Sequence, residues 1–95
     1  MLIFRKEAEE DVRQAYEWYE SQRENLGLVF IHEIERVLEL IEESPEAHTH
    51  ILRSVRRSLC KKFPYAIYFA EHNSNIVVLA VLHQRRHPAS WLKRV

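Results

Sequence analysis

The sequence has one cysteine, one glycine and three prolines among its 95 residues, and each scarcity excludes a class of protein. The single Cys60 cannot form an internal disulfide, which excludes a disulfide-stabilised scaffold and predicts a reducing, cytoplasmic location. So little Gly and Pro, with 46% hydrophobic residues, excludes a disordered or low-complexity chain. Charge begins directly after Phe4, so we expect neither a signal peptide nor a membrane span there. We expect one domain over residues 1–95, because a chain of this length cannot bury two cores.

Charge is unevenly divided along the chain, although the net charge is zero. Residues 1–50 carry 5 Lys/Arg and 13 Asp/Glu, a net charge of −8. Residues 51–95 carry 9 Lys/Arg against Glu71 alone, a net charge of +8. Either the helices of the first half simply have solvated acidic faces, or the basic half meets nucleic acid or an acidic partner. The asymmetry indicates where a partner would bind and not which partner it is.

The first half of the chain has the spacing of two helices. Apolar residues recur at steps of three or four from Glu7 onward, behind an acidic first turn, which predicts a helix over 6–24. We expect it to end near Asn25 to Gly27, because these residue types best tolerate a left-handed cap. A second apolar stripe predicts a helix that ends at Ser44, because Pro45 cannot continue it. The two helices should form an antiparallel hairpin.

The remaining segments have the pattern of strands. We predict a short first strand at residues 1–5, which should lie at an edge of the sheet. A second strand, which carries arginines, is predicted at 51–59. A third strand, whose side chains alternate between the two faces of the sheet, is predicted at 63–70. Residues 71–75 predict a turn, and the apolar run 76–82 a central strand buried on both faces. Because Arg53 and Arg57 share a face with Val55 in strict alternation, a bulge or a marginal position is expected for them. The predicted fold is α+β, with the order β-α-α-β-β-β and the helical hairpin packed on one face of an antiparallel sheet.

Three collinear segments carry a resemblance to a known family. AEEDVRQAYEWYESQ at 8–22 and NLGLVFIHEIERVLELIEESPEAH at 25–48 match its two helices, and SVRRSLCKKFPYAIYFAEHNSNIVVLAVLHQRRHPASWLKR at 54–94 matches its strands. Together they resemble the RelE/ParE toxin superfamily over nearly the whole chain. The resemblance implies the toxin of a bacterial type II toxin–antitoxin system, which inhibits growth. It also implies a cognate antitoxin whose flexible tail lies across the helical hairpin and the sheet, in a toxin–antitoxin hetero-oligomer.

The resemblance leaves two mechanisms open. RelE-like members cleave mRNA on the ribosome, which requires a base, an acid and cations around the reacting phosphate. The candidates for that chemistry are His83, Arg57 and Arg85. ParE-like members inhibit DNA gyrase, and VVLAVLHQRRHP at 77–88 resembles their Leu-His-x-Arg run. RelE-like nucleases more often carry a Tyr near the C-terminus, and no Tyr follows Tyr68, so the preferred interpretation is gyrase inhibition, with a metal-independent endoribonuclease as the alternative.

Several side chains are candidates for binding the target, nucleic acid or the antitoxin, each with a purely structural alternative. The candidates are Arg53, Arg56, Arg57, Lys61, Lys62, Arg85, Arg86 and Trp91. Trp91 is expected to dock on the sheet, with interface contact as its alternative, and Trp18 and Tyr19 are expected to pack in the core or in the helical hairpin. The six histidines and the lone thiol lack zinc-ligand spacing, so we expect no metal and no cofactor.

Overall fold

A five-stranded sheet with two helices on one face makes up the computed structural model, which describes residues 1–85 and 88–94. The strand order is β1-β5-β4-β3-β2. The elements are β1 Leu2–Phe4, α1 Lys6–Gln22, α2 Leu26–Glu43, β2 Thr49–Leu52, β3 Val55–Leu59, β4 Tyr65–His72 and β5 Asn75–His83, with 3-10 helices at Pro45–Ala47 and Pro88–Arg94.

The predicted α+β fold is confirmed, with two differences in the sheet. β1 lies at an edge as expected but runs parallel to β5, so the sheet is mixed. The single strand predicted over 51–59 was wrong, because this segment forms β2 and β3, joined by a turn at Arg53 and Ser54. Arg53 has a φ of 55°, in the left-handed region, and this reversal divides the arginine segment into an antiparallel hairpin.

The turn between the helices uses Asn25 and Gly27 differently from the prediction. α1 ends at Gln22, and Asn25 takes the left-handed conformation with a φ of 69°. Gly27 lies in the first turn of α2, where an added Cβ would come within 2.7 Å of the Tyr16 ring. Glu20 accepts the backbone N–H groups of Asn25 and Gly27 at 2.9 and 3.0 Å, which caps the start of α2. Within the described ranges, neither helix is long and apolar enough to cross a membrane.

The sheet is buried on both faces. The helical face packs against α1 and α2 around Phe30, Phe63 and Phe69, and the opposite face packs around Tyr68 and the C-terminal 3-10 helix. β5 contributes to both cores, which confirms the predicted central strand. A bulge at Leu79, opposite the step from Tyr68 to Phe69 in β4, switches the alternation of β5. The side chain of His83 therefore lies on the helical face.

Candidate partner-binding surfaces

The sheet divides the predicted cations between its two ends. Arg53 lies in the β2–β3 turn at one end, exposed to solvent. Lys61 and Lys62 lie in the β3–β4 loop at the other end, and Arg85 follows β5 there. The backbone N–H of Gln84 donates to the Pro64 carbonyl at 2.8 Å, which holds the two loops side by side. The predicted Arg86 lies outside the described residues.

Arg56 and Arg57 lie on opposite faces of the sheet. Arg56 pairs with Phe69 on the helical face, and its guanidinium donates to the backbone carbonyl of His48 at 2.8 Å. Arg57 pairs with Tyr68 on the opposite face. A small ligand bound to one of these two arginines would therefore not contact the other.

The His83 ring accepts a hydrogen bond from the backbone of its own loop. Its ring lies edge-on to Tyr65 at a centroid distance of 5.4 Å. The backbone N–H of Arg85 donates to His83 Nδ1 at 3.1 Å, so the neutral ring carries its hydrogen on Nε2. His83 and Arg57 point to opposite faces, and the structure does not bring the predicted set of His83, Arg57 and Arg85 together as one catalytic group.

Trp91 docks on the sheet. Its ring stacks on Tyr68 with centroids 5.4 Å apart and planes 26° apart, and only 3% of the residue is exposed. The indole is thus part of the core on the opposite face, and the chain as described does not present it to a partner.

Glu33 organises the loop that carries Lys61 and Lys62, a role that the sequence does not reveal. Its carboxylate accepts the backbone N–H groups of Lys61 and Lys62 at 2.7 and 3.1 Å and two bonds from Arg36 at 3.0 Å. The hydrogen bonds from Arg36, aided by those two N–H groups, lower the pKa of Glu33 to about 2 against the opposing effect of burial. The lysine side chains remain exposed, because only their backbone is engaged.

Asp11 and Arg94 join the two ends of the chain beside β5. Arg94 donates two bonds to the Asp11 carboxylate, at 2.6 and 3.2 Å, and a third to the Leu79 carbonyl at 3.2 Å. Asp11 also accepts the N–H of Val81 at 3.0 Å. This clamp attaches the C-terminal 3-10 helix to α1 and to the sheet.

An apolar groove runs along the outer side of the helical hairpin. Its cavity measures about 450 Å³. The floor is formed by Phe4, Val12, Tyr16, Ile31, Ile34 and Leu38, and Glu9, Arg13 and Glu35 line the rim. We call this the hairpin groove.

A second cavity lies between α1 and the end of β5, beside an exposed tryptophan. Trp18 and Tyr19 were expected to pack in the core or in the hairpin. Tyr19 packs against the core of the helical face, whereas Trp18 does not enter the core, since 58% of it is exposed. The cavity measures about 260 Å³. It is lined by Asp11, Gln14, Ala15, Trp18, Tyr65, Val81, Leu82 and His83, and we call it the Trp18 pocket. Trp18 has two acidic neighbours in the sequence, Glu17 and Glu20. These neighbours were a signal that the side chain faces solvent.

Comparison with known proteins places the chain in one of these toxin families. Residues 2–88 match the family described as the ParE toxin of the type II toxin–antitoxin system parDE. The chain belongs to the ParE toxin family. A solved structure described as the chromosomal ParDE toxin–antitoxin system from P. aeruginosa is similar in fold, with a TM-score of 0.77 at 15% identity, over 86% of this chain and 92% of that one. Among curated proteins there is no significant sequence match.

The ion pairs of this ParE-family chain leave most of its basic half unneutralised. In residues 1–85 and 88–94, carboxylates pair with Arg13, Arg36 and Arg94. None of the described pairs involves the cations between Arg53 and Lys62. Those charges are available to an anionic or acidic partner.

Proposed function

We propose that this ParE-family chain acts as one toxin domain that inhibits DNA gyrase by binding it, and that a cognate antitoxin neutralises it in a hetero-oligomer. Family membership supports the role of toxin. The placement of His83 carries the choice of target, because it favours an inhibitor that binds over a nuclease.

A ribonuclease of this kind needs a side chain that accepts the proton of the attacking 2′-hydroxyl. Nδ1 of His83 is occupied by the N–H of Arg85, and Nε2 carries the hydrogen of the neutral ring. The acceptor nitrogen of His83 is thus turned toward its own loop and not toward the space where a substrate hydroxyl would lie. Glu71, the only carboxylate of the second half, lies at the far end of β4. The predicted set of His83, Arg57 and Arg85 is therefore not assembled for cleavage, whereas binding to a protein target needs no such grouping.

The hairpin groove is the surface that best fits the antitoxin. Its floor is apolar, and α1 carries 2 Lys/Arg against 6 Asp/Glu while α2 carries 1 against 5. A segment with one apolar face and flanking Lys or Arg would bury that face in the groove and complement the acidic helices. Such a segment gains its structure on binding, as the flexible tail of an antitoxin does.

The antitoxin site can be tested with two substitutions on the same helix. Ile31 lines the hairpin groove, whereas Leu28 is 49% exposed on α2 and does not line it. We expect Ile31→Arg to place a cation in the path of the basic segment, so that the co-expressed antitoxin no longer restores growth. The matched control, Leu28→Arg, should be neutralised normally. If the antitoxin restores growth equally with both variants, the groove is not its site.

The target can be tested with purified toxin in two assays run side by side. We expect loss of gyrase supercoiling, relieved by the antitoxin, and intact mRNA on translating ribosomes. Cleaved mRNA with normal supercoiling would establish the endoribonuclease alternative instead. In that case His83→Ala should lower cleavage by about 10²-fold, as expected for a lost acid or base. Unimpaired growth at high expression would reject the toxin role itself.

A further inference from the structure

Two loops meet at the end of the sheet where β3 and β5 finish. The β3–β4 loop carries Lys61 and Lys62, and Arg85 follows β5 in the second loop. The backbone N–H of Gln84 donates to the Pro64 carbonyl, which joins the two loops. The side chains of all three cations are exposed to solvent. We call Lys61, Lys62 and Arg85 the basic end of the sheet.

The backbone that carries the two lysines is fixed from the helical side. The Glu33 carboxylate, in a side chain that is only 1% exposed, accepts the N–H groups of Lys61 and Lys62 at 2.7 and 3.1 Å. The charge of Glu33 is balanced by Arg36, so the lysine ammonium groups are not needed to neutralise it. A loop that is already ordered presents its positive charges to a ligand without a further loss of conformational entropy.

The turn of the helical hairpin lies at the same end of the sheet. Tyr19 of α1 and Phe30 of α2 contact the Phe63 ring at centroid distances of 4.8 and 5.3 Å. The charged side chains at this turn are Glu20, Arg23 and Glu24. Together with the basic end they make four cations against two carboxylates, so the surplus charge is positive. None of the ion pairs described for residues 1–85 and 88–94 involves the basic end.

The cations at the opposite end of the sheet are less available to an anion. Arg53 and Arg56 line a cavity of about 300 Å³ together with Glu71, the only carboxylate of the second half of the chain. The guanidinium of Arg56 also donates to the carbonyls of Glu46 and His48 at 3.3 and 2.8 Å. An anion is therefore expected to prefer the basic end.

The basic end is separate from the two cavities named above. Neither the hairpin groove nor the Trp18 pocket is lined by Lys61, Lys62 or Arg85. A protein segment typically buries an apolar anchor in a pocket, whereas contact with phosphates needs only exposed cations. Phe63, the aromatic residue of the β3–β4 loop, is buried and cannot stack on an unpaired base. These features favour the phosphate backbone of duplex DNA over an acidic protein segment or a single strand.

We propose that the basic end binds the phosphate backbone of duplex DNA where the toxin inhibits gyrase. Lys61, Lys62 and Arg85 each contact a phosphate, and the contact is independent of base sequence because phosphates carry no sequence information. Glu33 is a positioning residue for this contact, since it holds the backbone of the two lysines. This inference rests on the proposed function for the identity of the target, and its surface is distinct from the hairpin groove assigned to the antitoxin.

Two double variants with the same change in net charge test the site. Lys61→Ala/Lys62→Ala removes two cations of the basic end and keeps the backbone N–H groups that fix the loop. The control, Arg5→Ala/Arg53→Asn, removes two exposed cations at the opposite end, where Arg5 lines a cavity with Ser54 of the β2–β3 turn. Asparagine is chosen for Arg53 because it tolerates the left-handed conformation found there.

The probe is a short, fluorescein-labelled DNA duplex of mixed sequence, titrated with the purified toxin and followed by fluorescence anisotropy. We expect a Kd on the order of 10⁻⁴ M at low salt. Three phosphate contacts predict a slope of log affinity against log salt of about −2.7, so a roughly fourfold rise in salt should weaken binding about 40-fold. In Lys61→Ala/Lys62→Ala the slope should shrink to about −0.9 and the affinity should fall about 10-fold or more, whereas the control should keep the wild-type slope.

Other results of the same titration would overturn the inference. A control that loses as much affinity as Lys61→Ala/Lys62→Ala would show that total charge decides and not the basic end. Tighter binding of an aspartate-rich peptide would assign the basic end to an acidic protein segment, and tighter binding of single-stranded DNA would reject the duplex. Every variant should keep the wild-type circular dichroism. If the double lysine variant does not, Arg85→Ala tests the site instead and should reduce the slope by about 0.9.

Supercoiling assays separate this inference from the proposed function. We expect Lys61→Ala/Lys62→Ala to inhibit gyrase about 10-fold less than the wild type, as for lost phosphate contacts, and the control to inhibit it fully. If the wild type inhibits gyrase but does not bind the duplex, this inference is wrong and the proposed function stands. If the wild type binds the duplex with the expected slope but leaves supercoiling untouched, the proposed target is wrong and the DNA contact stands.

Discussion

Replacing Glu33 by glutamine tests the physical account of the loop that carries Lys61 and Lys62. Only 1% of the Glu33 side chain is exposed, and its two oxygens accept four hydrogen bonds. Glu33→Gln keeps the shape but removes the charge. It also turns one acceptor into a donor that must face either Arg36 or the loop N–H groups. At least one N–H donor then loses its partner in a buried place.

The pKa of Glu33 gives the expected magnitude. It falls from an ordinary 4.5 to about 2, chiefly through the hydrogen bonds from Arg36, and this difference corresponds to about 3 kcal/mol of folding free energy. Because the folded pKa lies below the unfolded one, the unfolded chain binds the additional proton between these two values. The contribution is therefore complete above about pH 5 and is lost as the pH falls toward about 2.

Urea unfolding at a series of pH values measures this contribution. At pH 7 we expect Glu33→Gln to be less stable than the wild type by about 2–3 kcal/mol, and the two curves to converge as the pH approaches 2. Glu10→Gln is the control. Arg13 lowers the pKa of Glu10 to about 2, the same value as for Glu33, but Glu10 is exposed to solvent, where screening makes its ion pair contribute little to stability. Equal losses for Glu33→Gln and Glu10→Gln, or a difference for Glu33→Gln that does not change with pH, would refute the account.

Three further outcomes follow from the packing. Gly27→Ala should cost about 1–3 kcal/mol in urea unfolding, because its Cβ would lie 2.7 Å from the ring carbons of Tyr16; a neutral change would show that the ring moves aside freely. Trp91→Ala should cost about 3–5 kcal/mol by the same method, since the buried indole stacks on Tyr68, and a small loss would mean that the C-terminal helix is dispensable. Burial, and then the nearby Glu33 carboxylate, raises the pKa of Cys60 to about 12. A thiol reagent at pH 8 should therefore react with the native protein about 10³-fold more slowly than with the unfolded chain, because the thiolate is the reactive form, and equal rates would contradict the buried placement.

The helices and the central strand could be predicted from the sequence because their signals are local. The apolar spacing of residues 8–19 and the run 76–82 reflect how each element meets the core, and both elements formed as predicted. The same patterns underlie the resemblance to the toxin superfamily, and the match over residues 2–88 confirms it. The arginine segment 51–59 was less predictable, because its alternation does not show that Arg53 takes a left-handed turn.

The amino-acid sequence by itself determined the α+β class, the hairpin of acidic helices, the basic second half and the family, since each depends on composition or on a period read within one element. Only the tertiary structure decided which side chains meet. A one-residue change of register sends a strand side chain to the other face, and the bulge at Leu79 makes such a change before His83. Thus Arg57 and His83 are separated, Glu33 reaches a loop 28 residues away, and Trp18 faces solvent beside a cavity at the end of β5. These relations depend on pairings between distant segments, and no local pattern encodes them.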